Sequence, residues 1–552
     1  MSAGALAVSL PNGLVPYGNP AVGLIALVPM YLAFRSAPSM RNAVAAGAVF
    51  GFASTALSGY WLGNFGDFAV FTLGGPIAGY TAYNMLLATV LYTLMRLPAH
   101  IRPLAFSAAW TGYELLKSTG YLAFPWGLAA HSFGGVVPLL QIADITGVYG
   151  LSFLVVYANS SFAELAVSRA ARPGLQIGPS PRAPTARATG ALSQSVPVGA
   201  TGPAQRILAT PATRHLVMAA VLFAVAGVYG YSRLALEPTS NDSIRAVLVQ
   251  QNTDSWQPGG LEESLSVLQR LSQEGLAEGE HDLLVWSESS LTRPYIEERT
   301  GFFARHPADQ PFTDFISELD VPLLTGSPYL PSHVPDAAWN AVLHIEPGSG
   351  EVLDRYGKRH LVPFAEHIPF WEVPLMQRFF RDVVGLQRVW AMADERVLFE
   401  VPTREGTAQA ATPISFEGSF AYLGRDFTRG GADVLINLTN NSWSQSDTAQ
   451  YQQFVVTRFR AIEARRPVML ATISGLTSTI DIFGRTTASI PMFEEGYLST
   501  RVSLYDDDSL TVYHIVGDLF AWLMIGATGW LVIRVAYEQS SREALGPSPG
   551  KS

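Results

Sequence analysis

Eight mainly apolar stretches run through this 552-residue chain, at about 2–16, 20–35, 42–62, 68–95, 103–121, 142–166, 215–235 and 512–535. Most approach the ~20 residues that a helix needs to cross ~30 Å of hydrocarbon. Where no water reaches the backbone, each N–H and C=O must be paired within the segment, which confines stretches of this kind to helices. Charged residues make up 15% of the chain and hydrophobic residues 48%, whereas about 25% charged is usual for a soluble domain. The first stretch is short and contains Pro11 and Asn12. A cleaved export signal is the alternative for it, but a basic start and an obvious small-residue cleavage site are missing.

The basic residues give these stretches a direction. Arg35 and Arg41 lie between the second and third, and Arg96 and Arg102 between the fourth and fifth. Arg169, Arg172, Arg182, Arg187, Arg206 and Arg214 lie between the sixth and seventh, and Arg534 and Arg542 follow the eighth. These are alternate connections, so they share one side, and their positive charge marks that side as cytoplasmic. Lys117 and Arg233, near stretch ends, are mild exceptions. The pattern predicts six spans within 1–168, a seventh at 214–236, an eighth at 512–536 and a cytoplasmic tail at 537–552. Residues 237–511 then lie outside the cytoplasm, tethered at both ends. Residues 169–213 are rich in Pro, Ala, Gly, Ser and Thr without periodicity, which predicts a disordered cytoplasmic linker. Asp67, Glu114 and Asp144 fall near span ends, where capping or snorkelling accounts for them. So few ionisable groups in the spans argue against a transport path. The net charge of −9 offers no basic surface to a nucleic acid.

The region 237–511 carries a different pattern. Short apolar runs flanked by turn residues occur at Arg245–Asn252, His281–Glu288, Val321–Gly326, Ala432–Leu438 and Pro467–Thr472. They read as buried strands. Residues 261–275 and about 447–465 have helical spacing, and the alternation favours a layered α/β domain.

Three segments there carry groups suited to chemistry. Glu288 ends an apolar strand, where desolvation can raise a carboxyl toward the range of a general base, although a solvated strand-end glutamate is the alternative. Lys358-Arg-His-Leu-Val-Pro-Phe-Ala-Glu366 is an extended segment pinned by proline and aromatic residues, and its lysine can place a fixed positive charge on an oxyanion. Pro413-Ile-Ser-Phe-Glu417 precedes Leu435-Ile-Asn-Leu-Thr-Asn-Asn-Ser-Trp443, a strand running into a polar loop beside the same cleft.

Together with Val285-Trp-Ser-Glu288 and Arg458-Phe-Arg-Ala-Ile-Glu463, these segments resemble the nitrilase superfamily, and more closely its membrane-bound branch, the apolipoprotein N-acyltransferases. The resemblance covers nearly the whole chain outside 169–213. It implies a polytopic α-helical membrane domain of about eight spans. It also implies an extracytoplasmic nitrilase-like domain, an α-β-β-α sandwich, on the outer face of a bacterial inner membrane. By the same resemblance Glu288 is the general base, Lys358 the oxyanion partner, Glu366 the carboxylate that orients them, and Glu417 an acidic residue following the nucleophile. Trp256 and Trp443 would line the acyl and lipid cleft, with ordinary core packing as their alternative, and Asn440 belongs to the substrate-binding loop.

The nucleophile position itself departs from the family. Ser415 stands where the family has cysteine, Phe416 where it usually has tyrosine, and the chain contains no cysteine at all. The family reaction takes an acyl chain from a phospholipid onto the nucleophile. It then passes the chain to the α-amine of a lipoprotein's S-diacylglyceryl cysteine, with no cofactor and no metal. A thiol with a pKa of about 8.5 ionises with modest help, whereas a hydroxyl depends on an adjacent base. Serine therefore predicts slower acylation and a longer-lived acyl-enzyme. An engineered Cys-to-Ser change, a natural serine enzyme and a weakened or inactive relative that binds lipid or lipoprotein are all compatible with it. A membrane-tethered amidase acting on a small substrate would need a closed polar pocket and no lipid.

Overall fold

The computed structural model describes the chain except for residues 67–68, 121, 171–209, 237, 256, 334–336, 369, 372, 385–389, 506–510 and 545–552. Most of the predicted linker at 169–213, the end of the predicted tail at 537–552, Asp67 and Trp256 therefore lie outside the described residues.

The apolar stretches fold into helices of unequal length. The principal ones are Met40–Ser58, Gly74–Leu94, Arg102–Lys117, Val148–Ala170, Pro211–Ala235 and Leu519–Ala544. Their starts are written in the sequence. Ser39 Oγ accepts from Asn42 N ahead of the first, and Thr210 Oγ1 accepts from Thr213 N ahead of Pro211, satisfying N–H groups that have no partner within the helix. Among the described residues, three helices are both long and apolar enough to cross a membrane: Val148–Ala170, Pro211–Ala235 and Leu519–Ser541. The first predicted stretch departs most from a span. It holds helix Ser2–Ser9 only, because Asn12 Oδ1 accepts from Leu14 N and Val15 N and turns the chain. The second is divided into Pro20–Gly23 and Val28–Ser36. Helix Leu519–Ala544, which follows the α/β domain, returns to pack against Arg102–Lys117.

The described residues of the α/β region form twelve strands: β1 (Ser240–Gln250), β2 (Leu283–Val285), β3 (Leu323–Tyr329), β4 (Trp339–Ile345), β5 (Val352–Gly357), β6 (Phe399–Pro402), β7 (Thr407–Ala411), β8 (Val434–Thr439), β9 (Val468–Thr472), β10 (Ser478–Ile480), β11 (Thr486–Ser489) and β12 (Gly496–Tyr505). They form two six-stranded sheets, in the orders β12-β1-β2-β3-β4-β5 and β11-β10-β9-β8-β7-β6. Strands β1, β2 and β3 run parallel, as do β7, β8 and β9. Alternation along β1 sorts its side chains. Val247 and Val249 join Leu261, Leu265 and Leu268 of helix Gly260–Leu276 in an outer cluster. Ile244, Ala246 and Leu248 instead join the core that holds Ile436, Leu438 and Leu470 of the second sheet. The predicted strands and the helix at 261–275 are all present; β4 to β7 and β10 to β12 are additional.

Helix Asp447–Ala464 joins the two parts. It has no continuous apolar stripe, yet nearly its whole length is buried. Its polar residues are used on both sides. Gln452 accepts from Trp61 Nε1 at 3.2 Å and donates to Ser58 O at 3.0 Å, and Arg458 donates to Gly134 O at 2.6 Å. Glu463 accepts from Val148 N at 3.1 Å. Just past the helix, Arg465 pairs with Asp144 at 2.6 Å. Buried polar groups are tolerated where each finds a partner.

The close approach of helix Pro211–Ala235 to the segment at Pro138 leaves no room for a methyl group: a Cβ at Gly230 would lie 1.7 Å from Pro138 O. Gly230→Ala is expected to destabilise the fold by about 1–3 kcal/mol or more through overpacking. Thermal unfolding of the detergent-solubilised protein checks this, and an unchanged midpoint would count against the packing described.

Candidate active site

Three segments distant in the chain converge on one buried ammonium. Lys358 follows β5 directly, and its backbone N–H donates to Asn340 O of β4 at 2.8 Å. Its side chain is fully buried. Nζ donates to Glu288 Oε1 at 3.1 Å and to Glu366 Oε1 at 2.7 Å. Burial alone would lower the lysine, but the charges of Glu288 and Glu366 outweigh it and hold the ammonium above its ordinary range. Asn340 Nδ2 ties the two carboxylates together, donating to Glu288 Oε1 at 2.8 Å and to Glu366 Oε1 at 3.1 Å. The outer oxygens are held by backbone: Asn440 N donates to Glu288 Oε2 at 2.6 Å, and Val362 N to Glu366 Oε2 at 2.8 Å.

Ser415 opens the 3₁₀ turn Ser415–Ser419 just after β7. Its φ is +51°, a left-handed conformation that a non-glycine residue adopts only when its surroundings impose it. Asn437 of β8 supplies the restraint, its Nδ2 donating to Pro413 O at 2.8 Å and to Ser415 O at 3.2 Å. Gly418 lets that amide approach, since a Cβ there would lie 2.9 Å from it. The Ser415 hydroxyl makes no hydrogen bond among the described residues, and it shares a cavity wall with Glu288, Glu366, Asn340 and Asn440.

Glu417 does not face that cavity. It is buried behind the turn as a clasp, accepting from Ile414 N at 2.8 Å, Arg359 N at 2.6 Å, His360 N at 2.9 Å and the Tyr356 hydroxyl at 2.9 Å. One carboxyl thus ties the segment carrying Lys358 to the turn carrying Ser415. Burial pushes it up to about 7, while these donors and Lys358 pull it back.

The cavity, of about 920 Å³, lies between the α/β domain and the helices. Trp61, Leu62, Gly75, Gly79, Tyr80, Phe124 and Trp126 form its helical side, and Ser415, Phe416 and Trp443 belong to the domain side. Trp443 packs against Phe65 and Trp61, with ring centroids 4.9 and 5.7 Å away. Phe416 lies 5.8 Å from Trp126 and 4.9 Å from Phe420, so the position without a hydroxyl is filled by aromatic packing. The charged residues on the described wall are Asp254, Glu288 and Glu366; Lys358 sits behind the last two. Asn440 lines the cavity and also fixes Glu288 through its backbone.

Asn340 and Tyr356 were not singled out from the sequence. The one signal for Asn340 is a polar residue, 4% exposed, at the start of the mainly apolar strand Trp339–Ile345. The arrangement offers a hydroxyl on a strained turn and a carboxylate that line one cavity, with a fixed ammonium held against the carboxylate. These are the parts of a nucleophilic acyl-transfer site.

Known proteins share this organisation. The profile for the apolipoprotein N-acyltransferase N-terminal domain matches residues 2–161, and that for carbon-nitrogen hydrolases matches 245–507. Apolipoprotein N-acyltransferase 2 of Treponema denticola is 35% identical over 506 residues, covering 90% of this chain and 89% of its own. The corresponding protein of Treponema pallidum is 34% identical, covering 91% and 88%, and apolipoprotein N-acyltransferase of Geobacter metallireducens is 30% identical, covering 97% and 94%. Among solved structures, a Saccharomyces cerevisiae member of branch 10 of the nitrilase superfamily aligns at 15% identity and TM-score 0.35, over 50% of this chain and 96% of that one.

The Glu417 clasp has a pH signature. The folded carboxyl, at about 7, holds its proton more tightly than an ordinary one at 4.5. Its contribution to stability is therefore complete below about pH 4.5 and is lost as pH rises through about 7. Glu417→Gln should be less stable overall, by about 1–3 kcal/mol for the displaced hydrogen bonds. It should also show a shallower loss of stability between about pH 5 and about pH 8. Melting midpoints of both proteins across that range test this, and parallel curves would contradict it.

Proposed function

This chain belongs to the apolipoprotein N-acyltransferase family, and from that membership we infer that it moves a fatty acyl chain from a phospholipid to the N-terminal α-amine of S-diacylglyceryl-cysteine lipoproteins. The observation that carries the reading is the cavity holding Ser415 and Glu288 on one wall and apolar helix residues on the other. A polar small-molecule amidase has no use for such a wall, whereas a lipid donor needs one.

In this mechanism the Ser415 hydroxyl attacks the donor's ester carbonyl as Glu288 takes its proton. The tetrahedral oxyanion forms beside Lys358, whose charge is held by Glu288 and Glu366 before the reaction begins. Collapse expels a lysophospholipid, whose oxygen receives the proton, and leaves an ester on Ser415. The α-amine of the acceptor then attacks that ester, loses a proton to Glu288, and departs as an amide while Ser415 regains its hydrogen. Glu417 and Asn437 hold the turn in place. Trp443 and Phe416 shape the apolar side, and Trp256 is assigned there by family resemblance alone. An oxygen ester is less reactive toward an amine than a thioester, so the acyl-enzyme on Ser415 is longer-lived than one on cysteine would be.

The setting follows the same reading. We place the helices of residues 1–168 in the membrane together with 214–236 and 512–536, and residues 169–213 and 537–552 on the cytoplasmic side. Residues 237–511 face the outer side of the bacterial inner membrane, where both lipid substrates are found. The three long apolar helices and the alternation of arginines support this topology. A relative that binds lipid or lipoprotein without turnover is the second reading, and only the serine at 415 favours it.

Incubation with phospholipid followed by intact mass spectrometry should reveal one acyl adduct on Ser415 in the parent and none in Ser415→Ala. Ser415→Cys should raise transfer to a lipopeptide amine by about tenfold or more. Lipid binding without adduct or transfer in parent and cysteine variant alike would leave the binding reading in its place. The base can be tested without touching it: a Cβ at Gly326 would lie 2.7 Å from Glu288 Cα and 2.4 Å from Ser289 N. Gly326→Ala is expected to shift Glu288 and lower transfer by about 10²-fold, and unchanged kinetics would contradict the assignment.

A further inference from the structure

Helix Gly74–Leu94 lines the cavity with Gly75, Gly79 and Tyr83, which at i, i+4 and i+8 share one face. Glycine inside a helix costs about 1 kcal/mol relative to alanine, so close packing is its usual justification. Two glycines of the neighbouring helix Met40–Ser58 have that justification. A Cβ at Gly47 would lie 2.5 Å from Asn84 O, and one at Gly51 2.6 Å from Tyr80 O. Gly79 has none, because a Cβ there would meet no protein atom within 4 Å. Gly79 lines the cavity and is itself exposed, so the space it leaves opens from the cavity toward the outside of the helices.

That space is continuous with the reacting groups. Phe364 sits two residues before Glu366, and its ring would be 3.4 Å from a Cβ on Gly75. The helix face therefore begins at the loop carrying Glu366. It ends at Tyr83, which is 43% exposed. A face of two glycines with Phe364, Tyr80 and Tyr83 around it, and no charged side chain along the helix, suits an unbranched alkyl chain.

We propose that the Gly75–Gly79–Tyr83 face is the lane along which the transferred acyl chain runs from Ser415 toward the bilayer, and that the missing side chain at Gly79 sets the chain length the site accepts. This rests on the acyl-transfer reading and adds to it a residue that determines specificity. Short chains end before Gly79, whereas long ones must cross it.

The full-length protein in lipid nanodiscs allows the test. Gly79→Ala, Gly79→Leu and Gly79→Phe are compared with Met85→Phe, which adds bulk on a different face of the same helix. Adduct formation on Ser415 is followed with phospholipids carrying hexanoyl or palmitoyl chains. The palmitoyl-to-hexanoyl rate ratio should fall through the Gly79 series, by about tenfold or more for leucine and phenylalanine. Melting midpoints should be no lower than the parent's, and Met85→Phe should keep the parent ratio. A flat ratio across the series, or equal loss with both donors, overturns the proposal. If the parent forms no adduct with either donor, the acyl-transfer reading itself fails. The lane is then judged by binding of the two phospholipids in native mass spectrometry. Loss of palmitoyl binding alone in Gly79→Leu supports it, and unaltered binding removes it.

Discussion

A fully buried ammonium cannot stand alone, and most of the site follows from how this one is paired. Lys358 lies between Glu288 and Glu366, with Asn340 bridging the two carboxylates. Removing one member of a buried pair typically costs about 3–5 kcal/mol, because the remaining charge is stranded. The pairing thus binds the end of β2, the end of β5 and the loop after it into one rigid unit. It also keeps the lysine charged and stationary, as a group that meets a developing oxyanion must be. Glu417 extends the unit to the Ser415 turn.

The second organising element is helix Asp447–Ala464. Its glutamines and arginines reach the helical bundle on one side, while Arg460 Nη1 donates to Ser419 O at 2.7 Å on the other. The Ser415–Ser419 turn is therefore braced against the same helix that docks the domain onto the bundle. A cavity between two separately folding bodies would have a variable shape, whereas here hydrogen bonds across the joint fix its walls.

Much of this was legible in the sequence, for identifiable reasons. The buried parallel strands announce themselves as short runs such as Leu283-Leu-Val285 and Val434-Leu-Ile-Asn-Leu-Thr439, because both of their faces are covered. Glu288, Lys358 and Ser415 stand out as candidates because the resemblance attaches to continuous motifs, and the fold brings them to one cavity and its backing. The antiparallel strands β4, β5 and β12 were missed. Their alternation is mixed with polar residues such as Asn340, Asp354 and Arg501, which hides the pattern. The role of Asn340 depends on residues 52 and 26 positions away, and no local rule reports such distances. Glu417 was read as a neighbour of the nucleophile. Its work as a clasp emerges only when Tyr356, Arg359 and His360 are brought against it.

The chamber of about 920 Å³ beside Ser415 has a further consequence. In the acyl-transfer mechanism inferred above, the phospholipid and the acceptor amine must reach the same acyl carbonyl through this one chamber. Visitors to such a room are obliged to queue, the spent donor leaving before the recipient arrives. The order of events is then imposed by architecture, and residence time in the chamber becomes the quantity on which selection can act.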